Sequence, residues 1–206
     1  MDLLLPAFVA FVVLYLLRVH EQTQRIRLLA AHLGRYRIEK LMEQLTHNYL
    51  RALDEEEPVR RGQILELQHD TERELAGQIG KLAQDFQRVS TEDARVSRMA
   101  WPLPFATRLW PANSFDMRAL LAVHADGIQA CAANTSGLSP RDQAFRMTAE
   151  LFLLQHSCHW FCKSRSIASA RMVARHKTSH EQALQAVSPD TRRAYLQVTQ
   201  GHAGGR

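Results

Sequence analysis

The longest uninterrupted apolar stretch runs from Leu3 to Leu17, LLLPAFVAFVVLYLL, uncharged throughout and broken only by Pro6. As a helix it is about 22 Å long, short of a bilayer hydrocarbon core of roughly 30 Å. A signal peptide wants a basic start and a small-residue cleavage site. Here Met1-Asp2 precedes the run and Arg18-Val19-His20-Glu21 follows it. A helix lying in the interface needs a polar face, and this run has none. A helix buried in a soluble core is compatible with the length. A single membrane span over residues 3–17 fits best, lengthened by Met1 and by Val19 with Arg18 snorkelling.

Beyond Arg18 the pattern turns amphipathic. Val19, Ile26 and Leu33, with Gln22, Leu29 and Tyr36, form a short a/d seam that could pair two stalks. A second stripe then takes over at Ile38, Leu41, Met42, Leu45, Tyr49 and Leu53. Together they predict one long helix, bent near Gly34. Asp54 to Glu57 suits a helix start rather than a helix end, and Pro58 suits a first turn. The next helix follows with an apolar stripe at Ile64, Leu67, Thr71, Leu75, Ile79, Leu82, Phe86 and Val89. Glu66, Asp70, Glu72, Glu74, Lys81 and Asp85 occupy its other face. These two helices read as an antiparallel hairpin.

Arg98 to Pro111, RMAWPLPFATRLWP, breaks the helical pattern through Pro102, Pro104 and Pro111. Its Trp101, Phe105, Leu109 and Trp110 are too apolar for a plain linker. They read as a packed loop, or as a surface that meets the membrane interface or a protein partner. A third helix starts near Ser114, with Phe115, Leu120, Leu121, His124, Ile128 and Cys131 on its apolar face. Ser139-Pro140-Arg141-Asp142 is a clear helix start. The helix it opens is apolar around nearly its whole circumference, which predicts a buried central element that continues, more basic, through Arg165, Arg171 and Arg175. Ser188-Pro189-Asp190 opens a last short helix that Gly201 stops. The expected fold is all-α. Residues 1–18 form the anchor, 19–93 the hairpin, 94–113 the connector, 114–200 a helical core domain and 201–206 a disordered tail.

Composition adds location. Arg18, Arg25, Arg27, Arg35 and Arg37 follow the span and no basic residue precedes it, so the positive-inside rule places the amino terminus outside and the body in the cytoplasm. Cys131, Cys158 and Cys162 lack the spacing of a disulfide framework, in keeping with a reducing compartment. The formal charge is +5, with eight Lys/Arg and two acids between Lys163 and Arg206. A basic face of Lys163, Arg165, Arg171, Arg175 and Lys177 could take anionic lipid or nucleic acid. A solvated helix face is the simpler reading, and nucleic acid is not favoured.

One cluster has the residue types of a ligand site. Cys158, His159 and Cys162 share an arc of about 100° on the central helix. They could hold zinc or haem, with His124 or Cys131 completing the set, or sense redox state. Met147, Leu151, Leu154 and Phe161 occupy the neighbouring arc, which makes ordinary core packing the stronger expectation, and no cofactor is predicted. The chain has no phosphate-binding glycine loop, no G-x-S-x-G turn and no E-x-x-H spacing. No catalytic residue and no enzymatic activity are therefore assigned. The sequence favours a membrane-anchored scaffold or adaptor that binds protein partners or itself, with a metal- or redox-responsive binding protein as the alternative.

Overall fold

The computed structural model describes residues 4–101 and 103–201. Met1 to Leu3, Pro102 and the part of the expected disordered tail after Gly201 lie outside it. The described chain is all-α apart from one short strand pair.

Helix α1 (Leu4–Leu33) is continuous and does two jobs. Its segment from Leu4 to Leu17 stands clear of the body, with nearly every side chain exposed. Helix α1 as a whole is long and apolar enough to cross a membrane. From Arg18 onward α1 turns one face to the body, and Gln22 and Leu29 are buried there. Val19 and Ile26, the other half of the sequence's a/d seam, stay exposed. The expected bend near Gly34 is a break: helix α2 (Ile38–Leu53) starts afresh after Arg37.

Pro58 opens helix α3 (Pro58–Glu66), as its fixed φ favours. The chain restarts at helix α4 (His69–Phe86) instead of continuing. That offset changes the buried stripe. Leu67 points to solvent and Glu72 is buried, the reverse of the sequence reading. Glu72 can be inside because Tyr49 Oη donates to its Oε1 and Gln143 Nε2 donates to its Oε2 at 3.0 Å.

Strands β1 (Arg95–Ser97) and β2 (Ser114–Asp116) pair antiparallel, with Val96 opposite Phe115. Between them the connector makes helix α5 (Ala106–Leu109) and a 3-10 turn at Pro111–Asn113. Helix α6 (Met117–Ala132) begins three residues later than expected, capped by Asp116, whose carboxylate accepts from Arg118 N. Helix α7 (Pro140–Cys162) begins where the sequence placed it, with Ser139 Oγ accepting from Asp142 N. It is the hub of the body, touching α1, α2, α3 and α6.

The expected basic extension of α7 is a separate helix. Lys163 leaves helical geometry, Ser164 caps helix α8 (Arg165–His176), and α8 folds back against α7. Helix α9 (His180–Ala186) follows, opened by a Ser179/Gln182 capping box. Helix α10 (Pro189–Gln200) packs on α6. A single apolar cluster runs from Leu29 through α2, α4, α6 and α7 to Tyr195. Both halves of the chain therefore share one core.

Candidate functional site

Gln143, Glu150 and Ser157 lie seven apart on α7, so they share one face of the helix. All three are buried. Opposite them on α6 stand Cys131, Gly127 and His124, one per level. At the first level Gln143 Nε2 donates to Cys131 O and Cys131 Sγ donates to Gln143 O. At the second, Glu150 Oε1 accepts from Ser188 N at 3.2 Å, while Oε2 has no partner and faces Gly127. Burial raises the Glu150 carboxyl to about 7. At the third, His124 Nε2 meets Ser157 Oγ at 2.8 Å. The Ser157 hydroxyl is spent on Leu153 O. His124 therefore carries its proton on Nε2, which leaves Nδ1 as an unpartnered acceptor. Complete burial lowers His124 to about 3, so the ring is neutral.

A second cluster lies behind this seam. The rings of His156 and His180 approach to 4.3 Å. His180 Nε2 reaches Tyr195 Oη at 3.0 Å and His156 Nε2 reaches Ser169 Oγ at 3.1 Å. Burial, then the neighbouring cations, push His156 down to about 2 and His180 to about 4. His156 also lines an open cleft of about 410 Å³ between α7 and α8, with Gln155, His159, Arg171 and Arg175. No carboxylate lines this cleft among the described residues. Its polar groups are the Gln155 amide, two imidazoles and the cations Arg171 and Arg175, backed by Phe152 and Met172.

The third feature is the junction where α1 enters the body. Arg18, Glu21, Gln22 and Arg25 form one face of α1 toward the connector and the α7–α8 turn. Glu21 Oε1 pairs with Arg25 at 2.9 Å, and Oε2 accepts from Phe105 N at 2.8 Å. Arg25 also reaches Thr107 Oγ1, and Lys163 Nζ donates to Gln22 Oε1. Phe105 sits at φ 56, a left-handed conformation that a bulky residue adopts only when its surroundings impose it.

No protein-family model, curated protein or solved structure matches this chain.

The structure divides Cys158, His159 and Cys162. The two cysteines pack partly buried against the core, while His159 faces the α8 cleft beside Arg171 and Arg175. The proposed outside ligands are committed elsewhere, Cys131 to Gln143 and His124 to Ser157. Among the described residues no group of three His, Cys, Asp or Glu side chains is placed to hold a metal ion. Burial pushes the Cys158 thiol up to about 12 and Cys162 to about 11, which disfavours the thiolate.

The basic residues divide as well. Lys163 binds Gln22 of α1, Arg165 lies over the Trp160 ring, Arg171 and Arg175 line the cleft, and Lys177 is the left-handed cap of α8. In the connector, Trp101 and Trp110 are exposed and Phe105 is half-buried. The buried face of Gln143, Glu150 and Ser157 has no role in the sequence analysis, and His124 enters there only as an apolar-face residue and a candidate outside ligand. The signal for that face was the seven-residue spacing of polar residues on an otherwise apolar helix.

Proposed function

We propose that this chain is a single-pass, membrane-anchored helical adaptor: α1 spans the bilayer with the amino terminus outside, and the helical body holds a protein partner on the cytoplasmic side. One observation carries the reading. The exposed apolar segment Leu4–Leu17 and the two buried residues Gln22 and Leu29 belong to one unbroken helix. A cleaved leader would take with it the start of a helix that the core uses. The arginines after Leu17, with none before it, supply the orientation.

The rest of the molecule supports binding over chemistry. His124, His156, His180 and Glu150 are held by hydrogen bonds within the bundle to Ser157, Ser169, Tyr195 and Ser188. The metal-responsive alternative gains no support, since Cys158 and Cys162 do not converge with His159.

Alkaline carbonate extraction, together with an impermeant cysteine-reactive label applied to intact cells whose chain carries one cysteine introduced at either terminus, tests the proposal. The expected outcome is a pellet-resident protein labelled at the amino terminus only. Release into the supernatant, or a mature chain that has lost residues 1–20, overturns the anchor. A stoichiometric partner should be retained on purification through the body, and a body that crosslinks to nothing in native membranes overturns the adaptor role.

A further inference from the structure

The connector carries four exposed apolar side chains within ten residues: Trp101 is 74% exposed, Leu103 46%, Leu109 63% and Trp110 50%. Two tryptophans left in water are costly unless something covers them. Their place in the fold says what does. The connector is fastened to α1 at one level, where Glu21 holds Phe105 N and Arg25 reaches Thr107. It is fastened again to α8, where Ser166 Oγ donates to Ala100 O at 2.8 Å. Leu103 lines the same small cavity as Arg18, the first charge after the apolar run.

The length of the run decides how high the membrane reaches. A span of ordinary thickness needs about 20 residues. Counted from Leu4, where the described helix begins, that length ends at Thr23. That end falls beside Glu21, the residue that grips the connector. An anchor too short for the bilayer draws the body against the headgroups, and the connector is the part of the body that meets them.

We propose that the connector is a second membrane contact, with Trp101, Leu103, Leu109 and Trp110 seated in the headgroup layer of the leaflet that α1 leaves. This rests on the reading of α1 as a span. Tryptophan suits that depth because its ring is apolar and its N–H stays wet. Arg18 and Lys163, beside Leu103 in the junction cavity, match anionic headgroups. The surface is therefore a lipid-facing one, which fixes the body's height and rotation above the bilayer.

The test uses the full chain reconstituted in vesicles of phosphatidylcholine and phosphatidylglycerol whose acyl chains carry bromine near the headgroup. The chain has three tryptophans, and Trp160 is buried. The double variant Trp101→Phe, Trp110→Phe retains Trp160 alone as the internal control. Wild-type emission should fall roughly twofold in brominated vesicles and resist acrylamide, while the double variant is unaffected by bromine, as expected of interfacial tryptophan. Emission that ignores bromine but is quenched by acrylamide, in protein that still floats with the vesicles and resists carbonate, places the connector in water. It overturns this inference and leaves the anchor standing. Emission shielded from both quenchers means that protein covers the connector, and overturns it too. A chain that does not float with vesicles refutes the anchor first, and the inference with it.

Discussion

Glu150 is a carboxyl whose environment fits its ionised form poorly. One carboxylate oxygen receives a backbone N–H from Ser188, the other faces Gly127 without a partner, and burial holds the group near neutrality. Its folded pKa lies above the unfolded value of about 4.3. The protonated form is therefore the one the fold favours, and stability is lost as pH rises from about 4.3 through 7. Glu150→Gln removes that cost. The expected result is a gain on the order of 2 kcal/mol at pH 8, read from urea unfolding, that shrinks to nothing near pH 4. A loss at pH 8 would mean the charge is used. Residue-level chemistry was the least legible layer in the sequence. A helical wheel correctly put Cys158 and Cys162 on one arc. It could not know that α8 folds back over His159, which draws that side chain to another neighbour. Glu72 went astray in the same way, since its partners Tyr49 and Gln143 come from helices far apart in sequence.

At the level of elements, the helix starts with side-chain chemistry were readable. Ser139 and Ser188 cap their helices as their sequence contexts demand, and Pro58 opens α3. The strands β1 and β2 were not readable, because three residues are too few to show alternation. The break between α7 and α8 lacked a proline or glycine to mark it. It is set by Ser164, which caps α8 through Ile167 N and also meets Ser166. Glycines separate packed helix faces from open ones. A Cβ at Gly77 or Gly80 of α4 meets nothing within 4 Å, whereas one at Gly127 of α6 comes within 2.3 Å of Thr191 Oγ1 and 2.9 Å of Glu150 Oε2. Gly77→Ala and Gly80→Ala should each stabilise by about 0.5–1 kcal/mol. Gly127→Ala should destabilise by about 1–3 kcal/mol, the overpacking outweighing the helix propensity. Thermal melts of the three variants check the contrast. The cysteines give an independent measure of how tightly α6 and α7 close. With Cys131 and Cys158 raised to about 12 and Cys162 to about 11 by burial, iodoacetamide at pH 8 should label none of them rapidly in the folded protein and all three once it unfolds. Fast labelling of Cys158 or Cys162 in the native state would show that α1 and α2 open away from α7.

On the scale of the whole molecule, the all-α class and the apolar amino-terminal helix follow from hydrophobic period alone, while the joining of both halves into one core does not. The periodic pattern marks faces but not which faces meet, and the contact of α4 with α6 spans the proline-rich connector. The helical break after Leu33 matters here, because no such break occurs between Leu4 and Leu33. Those 30 residues form a rod about 45 Å long, clamped at its inner end by Leu29 in the core and by the Glu21–Phe105 bond beside it. A rod without a joint transmits torque. With its outer half in a bilayer, as proposed above, rod and body would tilt as one piece, so that the body is a pointer and α1 its lever.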